Sequence, residues 1–89
     1  MTRLELATRD AIEGAAQAGA PEALFELGLM YCAGREVDPN LVLAHKWFNL
    51  AALRGIDEAK RYRAEVAREL SRAEIAHAQK LAREWLAKH

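Results

Sequence analysis

Two short stretches constrain this chain more than anything else in it. "AAQAGAPEA" occupies positions 15–23 and "AALRGIDEA" positions 51–59, an offset of 36. Both read Ala-Ala-x-x-Gly-x-x-Glu-Ala. Each element has a mechanical reason. Paired alanines let a neighbouring helix come close. The glycine can take the left-handed conformation that ends a helix. The acidic residue suits the positive end of the helix that follows. A period of this length lies in the range of stacked α-hairpins. Such hairpins bury their faces only against neighbours, so the junction between units has to recur.

Glycines and capping residues divide the rest of the chain into about five helices. "TRLE" at 2–5 has the form of a capping box, in which Thr2 and Glu5 satisfy each other's backbone amides. The first helix then runs to about Ala18, with a face of small residues at Ala7, Ala11, Gly14, Ala15 and Ala18. Pro21 suits the first turn of a second helix, whose inward face is Ala23, Leu27, Met30 and Tyr31. Gly34 closes it. After the turn "GREVDPN", Asp38 or Asn40 caps a third helix, with an apolar stripe through Leu41, Ala44, Trp47, Phe48, Ala51 and Ala52. Asp57 is placed to cap a fourth, with Ala59, Tyr62, Val66 and Leu70 inward. "SRAE" at 71–74 is a second capping box. It opens a fifth helix with Ile75, Ala78, Leu81, Ala82, Trp85 and Leu86 on one face. No stretch alternates in the manner of a strand.

Gly28 stands inside the second helix, where glycine costs about 1 kcal/mol against alanine. Close approach by the third helix, through Trp47 and Phe48, is the expected compensation. Trp47 and Tyr31 are therefore read as core.

The stretch "EALFELGLMYCAGREVDPNLVLAHKWFNLAALRG" resembles a Sel-one-like repeat, a relative of the tetratricopeptide repeat. The resemblance rests on Ala23, Leu27, Gly28, Tyr31, Gly34, Val37, Ala44, Trp47, Ala51, Ala52 and Gly55. Glu36 stands where the family has a second loop glycine, and Asn40 where it has Asp. Asparagine caps a helix as well as aspartate does. Glu36 disfavours positive φ, which predicts a local change in the turn. The resemblance implies an all-α fold of antiparallel hairpins stacked as a short right-handed α-solenoid, forming one domain over 1–89. Residues 1–19 form a half unit, 20–55 a full repeat and 56–89 a degenerate capping hairpin. In the last of these, Arg63 falls at the place of Leu27, and Lys60, Arg61, Arg63, Arg68 and Arg72 supply a polar outer face.

Composition narrows the chemistry. Formal net charge is zero, yet residues 1–40 hold three basic and seven acidic side chains and residues 41–89 ten and six. Glu58, Glu65 and Glu69 interleave with the basic run Lys60–Arg63, which reads as a solvated helix face, so no nucleic-acid partner is expected. No apolar run approaches a membrane span, and the N-terminus is too charged for a signal peptide; a cytoplasmic location is expected. The single cysteine, Cys32, excludes an intramolecular disulfide and reads as a small packed residue. His45, His77 and His89 are scattered, and no His-x-x-x-His or Cys-x-x-Cys is present, so no metal is expected. His45 reads as surface or boundary packing. No phosphate-cradling loop exists, Ser71 is accounted for by its cap, and Asp57 and Glu58 by the helix dipole. No enzyme activity, cofactor or small-molecule substrate is expected.

The resemblance implies a protein-interaction module, an adaptor or scaffold binding a peptide or protein. On the second helix Glu22, Phe25, Glu26, Leu29 and Cys32 remain once core positions are removed. Phe25, Leu29 and Cys32 fall at i, i+4, i+7, a single apolar stripe rimmed by two carboxylates. It is either a partner surface or a strip covered by the first or fourth helix. The alternative function is a small structural or assembly subunit acting by self-association, as a homodimer, or by docking onto a larger complex.

Overall fold

A computed structural model describes residues 3–89, with side chains from Asp10 onward. The expected Thr2–Glu5 capping box and Ala7 lie outside the described side chains. Five helices follow one another: α1 (Arg3–Gln17), α2 (Pro21–Ala33), α3 (Leu41–Leu53), α4 (Asp57–Ala67) and α5 (Arg72–Lys88). No strand occurs among the described residues, and the fold is all-α.

The repeated stretches form the same backbone motif twice. At the end of α1 the Gly19 amide donates to the Ala16 carbonyl and the Ala20 amide to the Ala15 carbonyl, each at 2.9 Å. At the end of α3 the Gly55 amide donates to Ala52 at 3.1 Å and the Ile56 amide to Ala51 at 3.0 Å. Both glycines have positive φ, +85° and +100°. These are Schellman stops, and they engage the carbonyls of the paired alanines. The residue that completes each stop is also the N-cap of the next helix, Ala20 for α2 and Ile56 for α4. This corrects the expectation for Asp57. The stop claims Ile56 as the cap, so Asp57 becomes the first helical residue and pairs on the surface with Lys60 at 3.6 Å.

The other caps form as read. The Asn40 side chain accepts from the Leu43 amide at 3.0 Å. Ser71 and Glu74 close a reciprocal capping box, with bonds of 3.1 and 2.8 Å. The loop between α2 and α3 departs from expectation in the opposite direction to the one foreseen. Glu36 takes φ +63°, so the chain adopts the left-handed conformation there with a side chain on it. The loop is held across the hairpin by the Asn40 amide donating to the Tyr31 carbonyl at 3.0 Å.

α2 and α3 form the central antiparallel hairpin: Tyr31 meets Asn40 at the loop, and Gly28 meets Phe48 further along. A Cβ on Gly28 would lie 2.5 Å from two atoms of the Phe48 ring. Phe48, Leu24, Met30 and Leu50 are the largest fully buried side chains. Burying each such group contributes about 1.5–3 kcal/mol. α3 is the hub. α2, α4 and α5 all pack against it, and α4 and α5 lean on α3 rather than on each other. Leu24 was not on the expected inward face of α2. It is buried because α2 lies between α1 and α3 and so has two covered sides.

Of the small-residue face expected on α1, three residues are turned outward. Ala11, Gly14 and Ala18 are exposed, whereas Ala16 is fully buried, with Ile12 and Ala15 packed at the edge of the core. The apolar spacing from Ile12 sets the inward arc; smallness alone does not. α5 is anchored by Trp85, whose ring meets Trp47 edge-on at 6.3 Å. His89 stacks on Trp85 at 4.0 Å, and its ring reaches the Gln17 side chain at 3.0 Å, tying the end of α5 to the end of α1.

Candidate functional site

The five side chains singled out on α2 do not share one environment. α2 begins at Pro21, whose missing amide costs nothing there. Glu22, in the first turn, is exposed. Glu26, one turn on, is half-buried and accepts a charge-assisted bond from Arg35 at 3.0 Å. Both carboxylates therefore stand on the same flank. Cys32, near the C-terminal end, is exposed. That corrects its reading as a small packed residue: Gly34 ends α2 just beyond it, and no neighbouring helix covers its side of the last turn.

Phe25 and Leu29 are half-buried and packed against the core. Phe25 is wedged between two rings, 5.7 Å from Phe48 on α3 and 5.4 Å from Tyr62 on α4. Phe48 and Tyr62 are themselves 5.5 Å apart. The three rings make a closed cluster in tilted and edge-on contacts, which are favourable beyond the area they bury. Phe25 thus spans core and surface, its inner side held by α3 and α4.

Between α1 and α2 lies an open apolar cleft of about 440 Å³. Ile12, Ala15, Ala20 and Ala23 line it, with Ala11, Glu22 and Glu26 at its lip. Sequence reasoning placed Glu22 and Glu26 on a rim but missed this cleft, because it assigned the neighbouring α1 residues to a packed face. The signal was present in the repeat itself, since the same positions recur around Phe48 and Tyr62.

The two residues whose pKa is shifted, His45 and Lys46, lie elsewhere. His45 is buried, which corrects its reading as boundary packing, and its Nδ1 has no hydrogen-bond partner. Burial, and secondarily the positive charge of Arg63, hold its pKa below the ordinary imidazole value. Arg63 itself donates to the Asn49 side chain at 2.6 Å. Lys46 lies 4.1 Å over the Trp47 ring; burial lowers its pKa and Glu84 partly offsets this. Neither group adjoins Cys32 or another nucleophile in sequence or in these contacts. Among the described residues no group of His, Cys, Asp and Glu is placed to hold a metal ion. No helix among them is long and apolar enough to cross a membrane.

Antiparallel hairpins joined by one helix-stop motif at a fixed period define an α-helical repeat protein. The family model of the Sel1 repeat matches residues 21–56, from the first residue of α2 to the cap of α4. That segment is similar to a Sel1 repeat, and the five-helix, strand-free fold of the described residues is consistent with a helical repeat of the tetratricopeptide-like class. No curated protein and no solved structure gives a match. Sel1 repeats in general mediate protein–protein interaction, and the family is one of non-catalytic interaction modules.

Proposed function

We propose that this chain is a non-catalytic adaptor that binds a protein or peptide through the outer side of α2. The contact surface comprises Glu22, Phe25, Glu26, Leu29 and Cys32. The observation that supports this reading is the incomplete cover of the α2 stripe: Leu29 and Phe25 remain half-exposed beside an exposed Cys32 and an exposed Glu22. Apolar groups rimmed by charge suit a polar-edged interface with an apolar centre. Residues 56–89 present exposed Lys60, Arg61, Arg68 and Arg72 to solvent.

Cys32 makes the reading testable, because it is the only cysteine and lies on the proposed surface. A benzophenone maleimide on Cys32, irradiated in native lysate, should capture a discrete protein. The same adduct should be lost from the Leu29→Gln chain, provided circular dichroism shows it folded. An adduct equally abundant from a label moved to Gln79 on α5 would remove the support for an α2 surface.

A further inference from the structure

The two junctions between successive units use matching positions but different chemistry. In the first, α1, α2 and α3 border a cavity of about 230 Å³ lined by Glu13, Gln17, Leu27, Tyr31 and Trp47. Adding 36, the offset between the two repeated stretches, carries Glu13 onto Asn49, Gln17 onto Leu53, Leu27 onto Arg63 and Tyr31 onto Ala67. The correspondence holds in space, since Arg63 donates to the Asn49 side chain at 2.6 Å. The second junction therefore has a half-buried arginine for a buried leucine, an alanine for a tyrosine, and a leucine 62% exposed for a glutamine. α4 and α5 both lean on α3 rather than on each other, which leaves a strip of α3 between them. Val42, Lys46, Asn49 and Leu53 lie at i, i+4, i+7 and i+11, along one line of that helix. None of the four is buried, whereas His45 and Leu50 beside them are. α4 borders the strip through Arg63. α5 borders it through Leu81, Glu84 and Lys88, which share a cavity of about 280 Å³ with Lys46.

We propose that this strip binds an acidic segment of a protein partner, with a carboxylate taken by Arg63 and an apolar side chain seated on Leu53. Arg63 carries five donors in a planar fork and uses one of them on Asn49. Among the described residues no carboxylate lies within ion-pair distance of it. A half-desolvated guanidinium of this kind is completed by a carboxylate, which it can hold through two parallel bonds. Another stacking helix does not suit the strip. The position that meets such a helix in the first junction is Leu27, and an arginine covered there would be left buried and unpaired. Lys46 stands one turn from Asn49 on the same line and adds a second positive charge, partly neutralised by Glu84 of α5. From Asn49 to Leu53 the helix rises about 6 Å, close to the span of two residues of an extended chain. The segment therefore carries its apolar and acidic residues two positions apart. This surface is separate from the α2 stripe, and the inference goes beyond the reading of that stripe.

The test titrates the isotope-labelled full chain with the capped peptide Ser-Leu-Ser-Glu-Ser and follows NMR shifts. Saturable changes should centre on Asn49, Leu53 and Arg63, with a dissociation constant of about 1 mM or below. Serine for the peptide's leucine, or glutamine for its glutamate, should weaken binding about fivefold or more. Leu53→Ser and Arg63→Gln in the chain should each do the same. Leu53 is exposed, so its substitution leaves the fold intact, and a thermal melt verifies both variants. Arg72→Gln removes an exposed charge outside the strip and should leave binding unchanged. Equal weakening by Arg72→Gln, binding indifferent to Leu53→Ser, or no saturation up to about 10 mM peptide would overturn the inference. So would a dimer of the chain that Leu53→Ser dissociates, since a second copy would then occupy the strip. The Cys32 adduct is read on α2 alone, so its loss or survival leaves this result standing by itself.

Discussion

At the scale of single residues, the packing of Gly28 gives the firmest expectation. Alanine in its place gains about 1 kcal/mol of helix propensity. Its Cβ also arrives 2.5 Å from the Phe48 ring, and Phe48 is fully buried between Phe25 and Tyr62, so the ring has nowhere to swing. Overpacking of this kind costs about 1–3 kcal/mol. Gly28→Ala should therefore lower the thermal midpoint, by several degrees for each kcal/mol of net loss in a domain this small. Combined with Phe48→Leu, the losses should be less than additive, because the second change removes the clash. A raised midpoint for Gly28→Ala would contradict the close-approach argument. Glu36 makes a second case. Its φ of +63° tolerates glycine and resists a β-branched side chain, so Glu36→Val should melt below Glu36→Gly.

His45 gives the fold a pH dependence whose sign follows from its burial. Its pKa is lowered in the folded chain, first by desolvation and then by Arg63, from an ordinary value of 6.5. As pH falls through that value the unfolded chain takes up the proton first, so stability drops until the folded pKa is reached. Above 6.5 the contribution is flat. Melts between about pH 5 and 8 should show a falling midpoint on the acid side, with a shallower slope in His45→Leu. Equal slopes in the two proteins would show that His45 is not the group responsible.

At the scale of elements, the helix ends were the most legible part of the chain. The Ser71–Glu74 box, the Asn40 cap and the glycine stops all act through a few residues close in sequence, so local chemistry specifies them. Ser71→Ala should cost about 1 kcal/mol and loosen the first turn of α5, measurable as faster amide exchange there. What was not legible depends on neighbours distant in sequence. Leu24 is buried because α2 is covered on two sides. Ala11, Gly14 and Ala18 are exposed because small residues suit a helix contact without requiring one. His45 is buried because it lies on a hub helix with α2, α4 and α5 around it. Of the candidate site, the acidic rim and the exposed first turn could be read from spacing, but the inward half of Phe25 could not. It depends on Tyr62, which stands on another helix.

At the scale of the whole molecule, the repeat both builds the fold and sets out its surfaces. One hairpin is complete, with α3 at its centre; acidic side chains outnumber basic ones in residues 1–40 and the reverse holds in residues 41–89. A helical repeat with this distribution presents different chemistry at its two ends, which favours directional contact with a partner. The central claim, that the α2 side of the molecule is its working face, is tested most directly by affinity. The protein captured through Cys32 should be purified and its dissociation constant measured against exposed-site variants on two faces. Glu22→Lys and Cys32→Arg on α2 should weaken binding, while Gln79→Arg and Arg83→Glu on α5 should leave it unchanged. Undiminished affinity in both α2 variants, with loss confined to α5, would contradict the account.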